Sequence, residues 1–132
     1  MPSSISHILR SYQTWAVVGC SPDPGRASNR VARFLQGHGY RVIPVHPRAE
    51  EILGETCWPS LADIPAEAGV EVVDIFRRSD QAGTHVDEAI AIGARAVWLQ
   101  IGVIDEEAAQ RAREAGLDVV MDRCPAIELP RL

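Results

Sequence analysis

The sequence predicts a doubly wound, Rossmann-like α/β domain, with a five-stranded parallel sheet and helices on both faces. Three observations support this fold class. Short apolar runs alternate with amphipathic segments along the chain. The runs are almost continuously apolar, as expected for strands that are buried on both faces. The length of 132 residues suits one domain. We therefore expect residues 1–132 to form a single domain, and right-handed crossovers favour the strand order 3-2-1-4-5.

The predicted elements follow from the two periodicities of the sequence. Five mostly apolar segments are the predicted strands, namely residues 15–19, 41–45, 71–76, 96–101 and 117–121. Apolar side chains recur at helical spacing in four further segments, residues 3–13, 28–39, 80–93 and 106–116. Ser28 can cap the second of these helices, and residues 47–69 form a long connection with a short helical turn around Leu61.

The charged residues exclude several kinds of chemistry. The chain has 13 Arg and no Lys. Lysine Schiff bases, pyridoxal phosphate attachment and the P-loop lysine are therefore excluded. Any phosphate must be bound by Arg, backbone N–H groups and hydroxyls. The net charge of −5 is spread along the chain, which argues against a nucleic-acid partner.

The cysteines and the apolar runs bear on metal sites and on localisation. Cys20, Cys57 and Cys124 form no Cys-x-x-Cys pair and have no His at ligand spacing, so we expect no metal site. The first 12 residues lack the apolar core of a signal peptide. No apolar run approaches the roughly 20 residues that span a bilayer. We therefore expect a cytoplasmic protein with no membrane partner.

Ligands of doubly wound sheets bind at the carboxyl ends of the strands, which makes the loop after the first strand a candidate site. The start of the following helix is a natural anion site, and Gly19 permits a close approach of the backbone. The side chains that can reach phosphate oxygens are Ser21, Arg26, Ser28 and Arg30. The dinucleotide fingerprint Gly-x-Gly-x-x-Gly is absent. The alternative is a plain surface loop with a serine cap.

The turn after the second strand distinguishes among nucleotides. An NAD-binding domain carries Asp or Glu there to hold the ribose hydroxyls. This chain instead has Val45, His46, Pro47 and Arg48. A basic turn stiffened by proline suits a ribose phosphate, and both NADP and coenzyme A (CoA) carry one. The alternative for His46 is an exposed turn residue without a ligand.

Four stretches of the sequence together carry a family resemblance. They are VVGCS at residues 17–21, GYRVIPVHP at 39–47, VWLQIG at 97–102 and VVMDRCP at 119–125. In this order and spacing they resemble the small stand-alone CoA-binding proteins, which are similar to the N-terminal CoA-binding domain of the succinyl-CoA ligase alpha subunit. The resemblance covers about residues 8–128. It implies that the ligand is CoA or an acyl-CoA.

The resemblance also implies a set of ligand-binding residues. The first loop would hold the diphosphate, the turn after the second strand the adenosine, the third loop the far wall, and the fourth loop the pantetheine arm. The implied contacts are Gly19, Cys20, Ser21, Arg26, Ser28, Val45, His46, Pro47, Arg48, Phe76, Arg77, Arg78, Gln100, Ile101 and Gly102. Two positions depart from the family pattern: His46 stands where relatives usually have Asn, and Cys20 where many have Ala.

The resemblance implies binding without catalysis. In the ligases the phosphorylated histidine lies in a second domain, and no Ser–His–Asp or Cys–His–Asp group emerges from the motifs of this chain. We therefore expect no enzyme activity and no catalytic residue. The expected role is to sense CoA or an acyl-CoA, or to present it to a protein partner that the sequence does not identify. Two alternatives stay open: an NADP-binding oxidoreductase or redox sensor, and an interaction module with a vestigial ligand site.

Four further residues have two interpretations each. Asp74 and Asp122 lie in or just after apolar strands, and we expect them to pair with an arginine or a loop N–H rather than to act as a general base. CoA ends in a thiol, so Cys20 and Cys124 are candidates for a mixed disulfide with it. The alternative is that both are small buried thiols of the core.

Overall fold

The computed structural model describes residues 4–132, so Ser3, the predicted first residue of the leading helix, lies outside the described residues. The strands in chain order are β1 (Thr14–Val18), β2 (Arg41–Val45), β3 (Glu51–Ile52), β4 (Glu55–Thr56), β5 (Val72–Ile75), β6 (Ala96–Leu99) and β7 (Asp118–Val120). The helices are α1 (Ser4–Ser11), α2 (Ala27–Gly37), α3 (Ser79–Ala91), α4 (Glu106–Glu114) and α5 (Pro125–Glu128). Short 3-10 turns occur at Leu61–Asp63, Ala66–Ala68 and Leu129–Arg131. Within this range every helix is too short or too polar to span a bilayer.

Five of the strands form one parallel sheet in the order β2-β1-β5-β6-β7, while β3 and β4 pair as a separate antiparallel hairpin. The predicted fold class is confirmed. The predicted strand order 3-2-1-4-5 is wrong, because the main sheet, counted along the chain, has the order 2-1-3-4-5. The third predicted strand, β5, pairs directly with β1, from Trp15 opposite Val72 to Val18 opposite Ile75.

The observed order follows from the composition of β2 and β5. Pro44 in β2 has no N–H for a neighbouring strand, so β2 suits the edge of a sheet. The long connection covers this outer side instead: the Trp58 N–H donates to the Pro44 oxygen (3.1 Å), and the His46 N–H donates to the Trp58 oxygen (3.0 Å). All four residues of β5 are buried, as expected for a strand with neighbours on both sides.

Helices cover both faces of the sheet, as predicted. On one face α1, α2 and α5 pack over a core that contains Trp15 and Trp98. On the other face α3 and α4 pack over a core that contains Val73 and Leu99. The direction of winding reverses between β1 and β5, so the loops after these two strands open at the switch point of the sheet.

The start of α2 differs from the prediction in a way that matters for the site. The helix begins at Ala27, and its N-cap residue is Arg26 rather than Ser28. The Ser28 hydroxyl instead accepts a hydrogen bond from the Ser21 N–H (2.9 Å), which ties the preceding loop to the helix. In the long connection, the predicted turn around Leu61 is present, and the β3–β4 hairpin before it is a feature that the sequence does not predict.

Two carboxyl groups, one inside β5 and one just after β7, have opposite environments. Asp122 accepts a hydrogen bond from the Gly102 N–H (2.7 Å), so its predicted pairing with a loop N–H is confirmed. Asp74 is fully buried in β5, and neither of its carboxyl oxygens has a partner among the described residues, so the predicted pairing of this residue is wrong. Burial raises the pKa of Asp74 well above its ordinary value, because the charged form loses its hydration.

The buried Asp74 predicts a specific pH dependence of stability. A carboxyl group whose pKa is higher in the folded than in the unfolded state binds more protons when folded, so the free energy of unfolding falls as the pH rises above about 4. Asp74→Asn keeps the shape of the side chain and removes the titration. We expect the wild type to lose up to about 1.4 kcal/mol per pH unit relative to Asp74→Asn, until the pH passes the folded-state pKa.

Urea unfolding of both proteins across the range from about pH 4 to about pH 8 measures this difference. Glu67→Gln, at an exposed carboxyl, is the matched control and should follow the wild type throughout. A difference between Asp74→Asn and the wild type that stays constant with pH would contradict the prediction.

Candidate functional site

A large cleft lies at the carboxyl edge of the sheet, at the switch point between β1 and β5. Its volume is about 1160 Å³, compared with roughly 300–1,000 Å³ for most small-molecule sites, so it suits a long ligand. The cleft is lined by the loops after β1, β2, β5, β6 and β7 and by the first turns of α2. A smaller cavity of about 290 Å³ lies beside β2 and shares no lining residue with the cleft.

Ten of the predicted contact residues line this cleft: Gly19, Ser21, Arg26, Ser28, His46, Phe76, Arg77, Arg78, Gln100 and Ile101. Five others do not line it. The side chains of Cys20 and Val45 are buried in the core, on opposite faces of the sheet. Pro47 and Arg48 are exposed on the turn after β2, and Gly102 follows the lining residue Ile101. The structure therefore brings together residues from each predicted loop, although not every side chain.

Gly19 brings the ends of neighbouring strands into direct contact. Its φ of +80° belongs to the left-handed region, and a Cβ at this position would lie 2.4 Å from the Phe76 oxygen. The Gly19 N–H donates to the Val45 oxygen (3.0 Å), which joins the loop to β2 as well. The glycine therefore lets the ends of β1, β2 and β5 meet at the base of the cleft.

The loop between β1 and α2 is held by its own hydrogen bonds. The Ser21 N–H donates to the Ser28 hydroxyl (2.9 Å), and the Asn29 amide donates to the Ser21 backbone oxygen (2.9 Å). The Asp23 N–H donates to Ser21 Oγ (3.0 Å), and the Gly25 N–H donates to Asp23 Oδ1 (2.8 Å). These bonds order the loop before a ligand arrives, which lowers the entropy cost of binding.

Three helices begin at the cleft, the four-residue α5 among them, and the two longer ones, α2 and α3, have no capping side chain. The N-cap residues, Arg26 of α2 and Arg78 of α3, have extended backbones, make no side-chain cap bond and line the cleft. By contrast α4, whose N-cap does not line the cleft, is capped by Asp105, which accepts from the Ala108 N–H (3.0 Å). The first N–H groups of α2 and α3 are therefore available to an anion, which the helix dipole also favours.

The charge of the cleft is opposite to that of the whole chain. Four arginines line it, namely Arg26, Arg30, Arg77 and Arg78, and none of its described lining residues is acidic. The chain as a whole has a net charge of −5. Arg78 forms an ion pair with Asp80, whose Oδ1 lies 3.3 Å from the Arg78 Nε, and Asp80 does not line the cleft. The other three guanidinium groups form no ion pair among the described residues, and unpaired guanidinium groups favour the binding of phosphate.

His46 contributes a hydrogen-bond donor to the cleft. Its Nδ1 accepts a hydrogen bond from the Arg48 N–H (3.1 Å), which assigns the proton of the neutral ring to Nε2. The half-buried His46 lines the cleft, so the Nε2–H group is available to a ligand oxygen. Arg48, which the resemblance places near the ribose phosphate, contributes its backbone to this arrangement.

Gln100 is a polar group of the cleft that lacks a partner. The residue is 8% exposed and lines the cleft, and its Oε1 has no hydrogen-bond partner among the described residues. A buried polar atom without a partner costs about 1–3 kcal/mol, and most such atoms in native proteins are satisfied. A ligand N–H at this position would supply the missing bond.

The three cysteines differ in their access to the cleft. Cys20 is fully buried, and burial raises its pKa to about 12. An inaccessible, protonated thiol does not exchange with a disulfide, so Cys20 is not suited to the mixed disulfide considered above. Cys57 is buried outside the cleft, whereas Cys124 lines it. Across residues 4–132, no group of three or more His, Cys, Asp or Glu side chains is arranged to hold a metal ion.

The fold and the cleft together define a doubly wound domain with an arginine-lined cleft at the switch point of its sheet. A family model described as a CoA binding domain matches residues 13–130. The chain belongs to this family, and the resemblance to CoA-binding proteins is confirmed.

Three relatives show how far the similarity extends. YneT of Bacillus subtilis (strain 168), an uncharacterized protein, is 38% identical over 122 residues, which make up 92% of this chain and 89% of YneT. The solved structure of a hypothetical protein from Pyrococcus horikoshii OT3 has a TM-score of 0.91 and 44% identity, covering 97% of this chain and 89% of that one. Acetate–CoA ligase (ADP-forming) I of Archaeoglobus fulgidus is 26% identical over 120 residues, covering 83% of this chain but 17% of the ligase.

Eight lining residues fall outside the predicted contact set: Gly25, Ala27, Arg30, Val31, Phe34, Val103, Cys124 and Ala126. The sequence singles out Arg30 and Cys124 for their chemistry. Four of the eight belong to α2, namely Ala27, Arg30, Val31 and Phe34. Their spacing of three or four residues places them on one face of the helix, and this spacing is the sequence signal that could have located them. Ala126 belongs to α5, whose packing against α2 has no local sequence signal.

Gly19→Ala and Gly39→Ala form a matched pair that isolates the close approach at the base of the cleft. Both glycines have a positive φ, +80° and +91°, but a Cβ on Gly39 would meet nothing within 4 Å. We expect Gly39→Ala to lower the free energy of unfolding by about 1–2 kcal/mol through backbone strain alone. Gly19→Ala should cost clearly more, because its Cβ collides with the Phe76 oxygen. Urea unfolding measures both losses, and equal losses would contradict the role of this contact.

Proposed function

We propose that the protein binds CoA or an acyl-CoA in this cleft and catalyses no reaction itself. The observation that carries the proposal is the pair of uncapped helix starts, α2 and α3, each preceded by a cleft-lining arginine. Two anion positions in a cleft without acidic lining residues suit a ligand with two separated phosphate groups. CoA is such a ligand, because it carries a diphosphate and a ribose phosphate.

The rest of the cleft suits the other half of the same ligand. The pantetheine arm of CoA is neutral, contains two amides and ends in a thiol. Phe76 and Ile101 offer apolar surface along the cleft, and the unpartnered Gln100 oxygen suits an amide N–H of this arm. The volume of about 1160 Å³ also favours a ligand longer than a mononucleotide.

The similarity to known proteins supports CoA as the ligand, but it does not extend to the reaction of the ligases. The matching family model is described as a CoA binding domain, and the Archaeoglobus relative is named a CoA ligase. This chain corresponds to 17% of that ligase, so the ligase reaction is not carried over to it. The proposed role is to hold the cofactor, and thereby to sense its level or present it to a protein partner.

Thermal unfolding with CoA, acetyl-CoA, 3′-dephospho-CoA, NADP and ADP tests the proposal. A ligand at about 100 times its dissociation constant stabilises the folded state by about 2.7 kcal/mol, which raises the midpoint by roughly 6–12 °C. We expect this rise with CoA and acetyl-CoA, and a smaller one with 3′-dephospho-CoA, which lacks one phosphate. A rise with NADP alone would favour an oxidoreductase or redox sensor. No rise with any of the five would favour an interaction module.

Arg26→Gln and Arg77→Gln test the guanidinium contacts. A hydrogen bond to a charged group contributes roughly 1.5–3 kcal/mol, so each variant should bind CoA about 10–150-fold more weakly. Arg113→Gln, on α4 and outside the cleft, is the matched control and should bind like the wild type. Isothermal titration calorimetry measures the dissociation constants. Equal affinity in all four proteins would show that the phosphates bind elsewhere.

A further inference from the structure

We propose that Cys124 is a site of reversible modification by the disulfide of CoA. Its thiolate attacks one sulfur of that disulfide, so that one CoA becomes attached to Cys124 and the other leaves. The inference rests on the proposed function, because the cleft that binds CoA would bring the disulfide to this sulfur. It adds a covalent step that cofactor binding does not require.

Cys124 has an access to the cleft that the other two cysteines lack. It is 7% exposed and lines the cleft. Cys20 is fully buried, and Cys57 lies on the long connection with its sulfur near backbone oxygens, 3.7 Å from that of His46 and 3.9 Å from that of Trp58. A reagent held in the cleft is therefore directed to Cys124.

Cys124 lies among apolar lining residues. It belongs to the same buried cluster as Val31, and Phe76 and Ala126 pack against that cluster. All four residues line the cleft. The arginines, by contrast, lie at the starts of α2 and α3. A CoA disulfide with its phosphates at the arginines would extend a neutral, sulfur-bearing arm toward the apolar lining that contains the Cys124 thiol.

The backbone around Cys124 is held in place on both sides. Before it, the Trp98 indole N–H donates to the Arg123 oxygen (2.8 Å), and Trp98 itself is fully buried. After it, the N–H groups of Ile127 and Glu128 both donate to the Cys124 oxygen, each at 3.0 Å. A sulfur on a fixed backbone reacts efficiently with a disulfide that is held beside it, because the two reactants need no further ordering.

Gln100 supplies an independent sign that a neutral arm binds in the cleft. The side chain is more than nine-tenths buried, lines the cleft and has an Oε1 without a partner. An amide oxygen in this state accepts an N–H donor and repels an anion. The two amide N–H groups of each pantetheine arm are such donors. The unmet hydrogen bond therefore points to the same part of the ligand that carries the sulfur.

The exchange is balanced without an additional oxidant. The Cys124 thiol gives its proton to solvent, and the thiolate forms a new S–S bond with one half of CoA disulfide. The original S–S bond breaks, and its electron pair leaves with the second half, which takes up a proton as free CoA. The Cys124 sulfur is oxidised and one CoA sulfur is reduced. A dithiol such as dithiothreitol reverses the reaction by the same exchange.

Mass spectrometry after incubation with CoA disulfide tests the inference on the wild-type protein. We expect one CoA per chain, located on the peptide that contains Cys124 and released by dithiothreitol. Cys124→Ala should stay unmodified, and Cys57→Ala is the matched control that should be modified like the wild type. Glutathione disulfide, which has no nucleotide to bind in the cleft, should modify Cys124 at least about ten-fold more slowly.

Calorimetry of the wild type with reduced CoA separates the two proposals. If CoA binds but its disulfide leaves Cys124 unmodified, this inference is overturned and the proposed function stands. Adducts mainly on Cys20 or Cys57, a disulfide between two of the chain's own cysteines, or equal rates with glutathione disulfide overturn it as well. If reduced CoA does not bind, the proposed function fails, and delivery of the disulfide through the cleft fails with it.

Discussion

Where β1 and β5 end side by side, the backbone of Gly19 lies so close to the Phe76 oxygen that no side chain fits between them. This contact is possible because the two strands are direct neighbours in the sheet. Their pairing also brings the starts of α2 and α3 to one cleft, each with an arginine and uncapped N–H groups. The positive charge and the free N–H groups of the cleft thus come together through the strand order as much as through the charged residues themselves.

The fold class is predictable from the sequence, because few architectures bury every strand on both faces between amphipathic helices. The strand order is harder to predict, since all five apolar runs are similar in composition. Pro44 is the local clue that β2 belongs at an edge, and it disfavours the central position that the order 3-2-1-4-5 gives to this strand. The predicted pairing of Asp74 fails for a different reason. A charged carboxylate in a strand suggests a charged or N–H partner, whereas burial favours the neutral form of this carboxyl group.

The candidate site is predictable in part, through the rule that ligands of such sheets bind at the carboxyl ends of the strands. That rule locates Gly19, His46 and Gln100 at the cleft. It does not give the direction of each side chain, and so it includes Cys20, which is buried in the core. The rule also leaves out Ala126, which does line the cleft. Its helix, α5, reaches the cleft by packing against α2, and no local sequence pattern specifies that packing.

Every permanently charged basic side chain of the cleft is a guanidinium, and the chain contains no lysine. Acyl-CoA thioesters transfer their acyl group to neutral amines, which lysine side chains supply in small amounts and arginine side chains do not, because the guanidinium stays protonated. A lysine-lined pocket that held such a thioester would slowly acylate itself and lose its positive charge. An arginine-lined cleft that held such a thioester would keep its positive charge, because its guanidinium groups would take up no acyl group.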